Sequence, residues 1–242
     1  LEGLVKHNGP LTDRSGQPLR GSALPSVIAE YVRLHDLELW TFPSAEAQAA
    51  AIADDIAYDA HDIDDGLRAD LFDLDELAVL PLVGEALGET AEFEDDPPRR
   101  AHELIRRVIT RMIEDVIAES RRRLAMLNPR AATDIRHAGV PMIGFSTGMA
   151  TADRAIKDFL WPRMYRHPRV ARIMGEAEQV IRDLFGHFTA HAEDMPAEWA
   201  HCFDAADQSA LPRRVADYIA GMTDRFALVE HGRFFPITPE LR

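Results

Sequence analysis

Asp54, Tyr58 and Asp62 stand four residues apart, with Asp55, Asp59 and Asp65 beside them. On a helix this spacing stacks the first three side chains along one edge. Carboxylates crowded on one face repel by a few tenths of a kcal/mol per pair, roughly. A bound divalent cation would relieve that repulsion, and carboxylate oxygens suit Mg, Mn or a related ion. On spacing alone, a solvated acidic face is the simpler account, because it needs no ligand.

The element that must carry these residues runs from Ser44 to Arg68, SAEAQAAAIADDIAYDAHDIDDGLR. Ser44 is placed to cap its start, Glu46 falls in the first turn and Gly66 lies near its end. Ile52, Ala53, Ile56, Ala60 and Ile63 recur at helical spacing, which predicts a core-facing side opposite the acidic edge.

The stretch ADDIAYDAHDIDDGLRA closely resembles the helix bearing the last metal-ligand aspartate in bacterial dNTP triphosphohydrolases of the dGTPase type, within the HD phosphohydrolase superfamily. That family has an aspartate, a tyrosine four residues on and an aspartate four further. The resemblance implies that Asp54 is a metal ligand in the catalytic centre, and that Tyr58 and Asp62 contact the nucleoside. Two further segments are similar to the same family. ADRAIKDFLWPRMYRHPRV (152–170) resembles a helix pair whose tyrosine packs on the nucleotide and whose basic residues face the phosphates. Tyr165 matches that tyrosine and Lys157 a phosphate-side cation, with Arg163, Arg166 and His167 nearby. VADYIAGMTDRFAL (215–228) is a family signature without an assigned chemical role, and TDIRHAGVPMI fits the family's C-terminal associated region. Asp55 is a departure, since some relatives place a basic, phosphate-holding residue there.

The resemblance implies an all-α fold. Residues 1–127 would form the rear part of an HD-type catalytic domain, and 128–242 an HD-associated C-terminal helical region. The implied activity is metal-dependent hydrolysis of a deoxynucleoside triphosphate to deoxynucleoside and tripolyphosphate, in a cytoplasmic homo-oligomer. The chain opens on Leu1 within LEGLVKHNGP, which reads as the middle of a domain, so the histidines and HD pair are expected before it. The chain by itself is then expected to be inactive. The alternative is a non-catalytic helical module that binds nucleotide or assembles with other subunits. A third reading is a self-contained metal site built from Asp55, Asp59 and Asp62.

Composition narrows the field. The 242 residues are 46% hydrophobic, enough for a substantial core. A net charge of −14 argues against a general nucleic-acid or anionic-membrane surface. Cys202, the one cysteine, excludes an intrachain disulfide and fits a reducing compartment. It reads as an inert thiol. No apolar run approaches the length of a membrane span.

His35-Asp36, with His7 upstream and Asp54 downstream, imitates a complete H…HD…D set. The family follows its dipeptide with a glycine-histidine pair and a long helical insertion. Leu37, Glu38 and Leu39 follow here, so His35 reads as an ordinary helix-end histidine.

Helices are predicted over Ser26–His35, after Asp73 or Asp75 with a break at Pro81, and from about Arg99 to Leu127. The long one carries a basic ridge including Arg106, Arg107, Arg111 and Arg121 to Arg123, read as a solvated face. Residues 133–146 read as the most strand-like or irregular stretch. Helices follow over Thr147–Leu160, from Pro168 to about His187, and over Pro212–Leu228. His187 and His191 read as surface histidines in a loop.

Overall fold

A computed structural model describes residues 1–19, 21, 23–200 and 210–240. Cys202 lies outside the described residues. The fold is all-helical: the described residues contain no strand, and a lone antiparallel bridge joins Thr12 to Pro18. The chain divides into two compact units, Leu1–Met164 and Tyr165–Arg242.

In the first unit the elements are α1 (Glu2–Lys6), α2 (Ser26–Leu34), α3 (Ala45–Arg68), α4 (Leu74–Leu77), α5 (Pro81–Gly88), α6 (Pro97–Leu127), α7 (Ala132–Arg136) and α8 (Thr147–Leu160). Helix α3 has the predicted bounds, and Ser44 Oγ accepts the Ala47 N–H as its N-cap. Its inward face is Ile56, Ala60 and Ile63, which meet Leu104, Val108 and Met112 of α6 and Ile156, Phe159 and Leu160 of α8 in one core. Ala53 is exposed rather than inward.

The helix runs through Gly66 and stops after Arg68. A Cβ on Gly66 would lie 2.2 Å from Phe72 Cζ, so this glycine makes room for the returning chain rather than ending the helix. Asp70 takes up the left-handed backbone of the turn, φ 52°. Pro81 does break the following segment. Asp73 and Glu76 form a capping box on α4, and Pro81 opens α5. On α6 the start is Pro97, capped by Asp96, two residues before the predicted one, because proline is tolerated in a first helical turn.

Three polar clasps fix α3 and α8. Gln48, buried in α3, donates to Pro43 O (2.8 Å), and its Oε1 accepts the Met142 and Ile143 N–H groups (2.8 and 3.0 Å). Lys6 is fully buried. It donates to Thr41 Oγ1 (2.8 Å) and Glu38 O (3.2 Å) and pairs with Glu2, which ties α1 to the turn before α3. Asp115 of α6 accepts both the N–H and the hydroxyl of Ser146 (2.8 and 2.6 Å), while Ser146 Oγ caps α8 through the Met149 N–H. The 133–146 stretch is not strand-like. It begins with the short α7, and the rest is irregular chain held by Gln48, Arg123 and Asp115.

The basic ridge of α6 is largely paired. Arg107 and Arg111 reach Glu89, and Arg106 and Arg122 pair with glutamates one turn away on α6 itself.

A π turn over Trp161–Tyr165 follows α8. The second unit contains α9 (Pro168–Ala190), α10 (Ala197–Ala200), α11 (Leu211–Ala220) and α12 (Asp224–Phe234) around Val180, Leu184, Phe188, Val215 and Tyr218. Helix α9 continues to Ala190 rather than ending at His187. His187 is consequently not a loop residue. Its ring stacks on Phe234 at 4.0 Å between centroids, and its Nε2 lies 2.8 Å from Asp194 Oδ2. The predicted Pro212–Leu228 helix is two helices. Thr223 Oγ1 accepts the Phe226 N–H and starts α12 afresh, which leaves Phe226 exposed.

Candidate functional site

Helix α3 presents two acidic surfaces of different character. The first is an open ridge, where Asp54 is exposed and Tyr58, at 61% exposure, projects into solvent one turn on. Asp62, a further turn along, is half-buried. The three residues that the sequence pattern groups are thus brought together on one helix, away from its core face.

The second surface is the flank that faces α8. Asp59 sits there, 2% exposed, at the register of the apolar residues Ile56, Ala60 and Ile63. Its Oδ2 has no hydrogen-bond partner among the described residues. On α8, Lys157 donates to Asp153 Oδ1 at 2.8 Å. Burial pushes the Asp59 carboxyl up to about 8, helped by the neighbouring Asp153 and Asp55 carboxyls, while Lys157 pulls the other way. Asp59 is therefore protonated at neutral pH. For Lys157, burial works against the charged form, but the Asp153 hydrogen bond and the charges of Asp59, Asp153 and Asp55 outweigh it and raise its pKa.

Sequence reasoning placed Asp59 merely beside the acidic edge. The signal for its true position was present, because residue 59 is three after Ile56 and four before Ile63, which is a core register on a helix.

The structure brings Lys157 to the α3 flank, beside Asp59 and Asp55. Tyr165 closes the π turn, is 38% exposed and begins the second unit. Of the other basic candidates, Arg163 lies over the Phe159 ring (4.1 Å) and reaches Glu76 Oε1 (3.4 Å). His167 caps α9 by accepting the Arg169 N–H.

A divalent ion needs several donors, and among the described residues no group of three His, Cys, Asp or Glu side chains is placed to hold one. The self-contained site from Asp55, Asp59 and Asp62 is not formed among the described residues, since Asp59 is turned into the core. Nor does His35-Asp36 assemble with Asp54. Asp36 Oδ1 accepts the Glu38 N–H, and His35 lines a separate pocket of about 320 Å³ with Tyr31 and Arg136. A larger cleft, about 680 Å³, lies where the α3 C-terminus meets the start of α6, lined by Asp64, Arg68, Phe72, Asp73 and Arg100. None of the predicted site residues lines it. Asp54 offers one exposed oxygen arm, and these residues alone do not enclose a metal.

Residues 143–233 match the phosphohydrolase-associated domain family. Across 100% of its length the chain is 56% identical to a deoxyguanosinetriphosphate triphosphohydrolase-like protein of Azorhizobium caulinodans, and 51% identical to one of Bradyrhizobium diazoefficiens. It is 49% identical to another of Rhodopseudomonas palustris. The chain is a homologue of the deoxyguanosinetriphosphate triphosphohydrolase-like proteins. It spans 61% of the Azorhizobium and Bradyrhizobium proteins and 62% of the Rhodopseudomonas one. The associated-domain match opens at Ile143, includes α8 and continues through α9, α11 and most of α12. The triphosphohydrolase-like homology therefore covers the open α3 ridge and the buried flank together. No helix among the described residues is long and apolar enough to cross a membrane.

Proposed function

We propose that this chain supplies the α3 ridge and the α8 basic side of a dNTP triphosphohydrolase, which hydrolyses a dGTP-like deoxynucleoside triphosphate to deoxynucleoside and tripolyphosphate. The observation that carries this reading is the solvent-facing Asp54–Tyr58 pair on a rigid, capped helix, within a chain homologous over its whole length to deoxyguanosinetriphosphate triphosphohydrolase-like proteins. Asp54 gives a divalent metal, Mg, Mn or a related ion, one of its oxygen ligands. The remaining donors come from outside these 242 residues. Such an ion, when bound, supplies charge stabilisation at the phosphate and an activated water. Tyr58 offers a ring face to the sugar and a hydroxyl to a polar partner. Asp62 accepts hydrogen bonds from sugar or base. Lys157 lies on the phosphate side and Tyr165 stacks against the nucleotide. The complete protein is proposed to be cytoplasmic and homo-oligomeric.

In the complete protein, Asp54→Ala should abolish metal binding and dGTP turnover, while Tyr58→Ala should raise KM for dGTP. Retention of full turnover and metal content by Asp54→Ala would refute the assignment. The 242-residue chain by itself should release no tripolyphosphate from dGTP, because one aspartate cannot hold a catalytic metal. A non-catalytic nucleotide-binding or assembly module is the second reading. It is favoured by the lack of a three-donor metal group among the described residues, and it predicts no turnover by the complete protein either.

A further inference from the structure

Helix α9 carries an apolar stripe that its own unit leaves bare. Val180, Leu184 and Phe188 face the core of the second unit, whereas Met174, Ile181 and Phe185 on the other side stay 60%, 44% and 36% exposed. They are spaced seven and then four residues apart, and Ala171 and Glu178 fill the same exposed line. That alternation of three and four is the one that seats one helix against another. Single surface apolar residues need no account, but three large ones on one line do. Two glycines share the face. Gly175 and Gly186 lie inside α9, where glycine is less favourable than alanine, and a Cβ at either would meet nothing within 4 Å. The described residues give neither glycine a packing reason.

We infer that this face of α9 is an interface between two copies of the chain, which pair antiparallel about a two-fold axis at the level of Val180. The pairing rests on one part of the function proposed above, the homo-oligomer, and needs none of its nucleotide chemistry. Register identifies the occupant. A two-fold axis there sets each residue opposite the one equally far beyond Val180 on the second copy. Phe185 then lies opposite Gly175, and Met174 opposite Gly186, so each bulky side chain meets the open space over a glycine. Glu178 lies opposite Arg182, and Arg182 opposite Glu178. Ile181 lies opposite Gln179, whose amide is committed to Asp183 Oδ1 at 2.7 Å, which leaves its methylene stem for the contact.

Charge selects this arrangement over its rivals. Glu178 and Arg182 already pair along one helix and are 63% and 68% exposed. An exposed pair of that kind is weak alone. Across the axis, two such pairs close into a square of alternating sign. A parallel pairing in register sets Glu178 against Glu178 and Arg182 against Arg182. Moving the axis to the level of residue 178 or 182 sets one of these charges against itself, and takes the glycines out from opposite Phe185 and Met174. The strip from Met174 to Gly186 is about 18 Å long at 1.5 Å per residue. One helix pair of that length is at the small end of stable interfaces, so the pairing is read best by a crosslink.

The test uses the complete protein in a cysteine-free background that includes Cys202→Ser. Gly175→Cys together with Phe185→Cys sets two thiols opposite each other on both sides of the axis, within the roughly 4.4–6.8 Å between Cα atoms that a disulfide spans. Mild oxidation should give a covalent dimer. Either cysteine alone should give none, because its counterpart on the second copy lies ten residues, about 15 Å, along the helix. Glu178→Arg added to the cysteine pair should cut the dimer yield about tenfold at low salt, and so should Arg182→Glu. Mixing those two proteins, one positive and one negative at both positions, should restore the yield.

No dimer from the cysteine pair, equal dimer from a single cysteine, or a yield indifferent to charge reversal would overturn the pairing. That holds whether another part of the complete chain covers this face or another surface joins the copies. Met174→Cys with Gly186→Cys asks the same question of the other contact, and decides if the first pair does not fold. Failure of the nucleotide reading looks different, because Asp54→Ala would then retain turnover while the crosslink still forms. A dead Asp54→Ala together with no crosslink sinks the pairing alone.

Discussion

Replacing Gln48 by leucine should unfold the first unit far more readily than a single polar change on a helix would suggest. The side chain is buried and closes three hydrogen bonds to backbone, giving one to Pro43 O and accepting two, from Met142 and Ile143. Leucine fills the space but satisfies none of the three. The Met142 N–H and Pro43 carbonyl belong to buried residues, so each would be left dry and unpaired, at about 1–3 kcal/mol. Ile143 is half-buried, and its N–H can find water at about 1 kcal/mol. The expected loss is therefore about 3–7 kcal/mol, a large part of the roughly 5–15 kcal/mol that holds a domain folded.

Urea unfolding measures it. Trp40 and Trp161 lie in the first unit and Trp199 in the second, so tryptophan fluorescence in a Trp199→Phe background reports the first unit alone. At a slope of about 2 kcal/mol per molar urea, the midpoint should fall by roughly 1.5–3.5 M. A fall below about 0.5 M would show that the clasp contributes no more than a surface pair, and that α3 owes its placement to apolar packing alone.

Asp59 gives a prediction about pH. The folded chain holds its proton up to about pH 8, whereas the unfolded carboxyl releases it near 4, so between those values the folded state binds more protons and stability falls as pH rises. That contribution, up to about 1.4 kcal/mol per pH unit, should vanish in Asp59→Asn. Parallel thermal-stability profiles of the two proteins from pH 5 to 8 would contradict it. Gly84→Ala should cost about 2–3 kcal/mol, because its Cβ would sit 2.2 Å from the Ala78 carbonyl oxygen, a backbone atom that cannot swing away. Gly88→Ala on the same helix meets nothing within 4 Å and should be neutral or slightly stabilising, and equal denaturation midpoints for the two variants would refute the contrast.

Much of the fold is legible in local chemistry. Ser44 and the Ile56–Ala60–Ile63 spacing define α3, and Pro81 divides α4 from α5, because capping and missing N–H groups act over a few residues. The break between α11 and α12 is hidden, since Val215, Ile219, Met222 and Phe226 keep helical spacing straight across it while Thr223 quietly recaps the chain. Gln48 and Asp59 are hidden for a different reason. The groups that act on them, Met142 and Asp153, lie 94 residues away in each case, and no window on the sequence joins them. The open ridge was readable from Asp54, Tyr58 and Asp62 because it needs only one helix. A metal centre of the kind proposed was not, because it would need donors from several.

Helix α3 is 24 residues long, a rod of about 36 Å at 1.5 Å per residue. Fold-maintaining side chains and outward chemical groups occupy opposite faces of that rod, so the outward face can be rewritten almost freely. Exchanging Asp54 or Tyr58 for another residue removes no buried contact, and an inert variant would keep the melting behaviour of its parent.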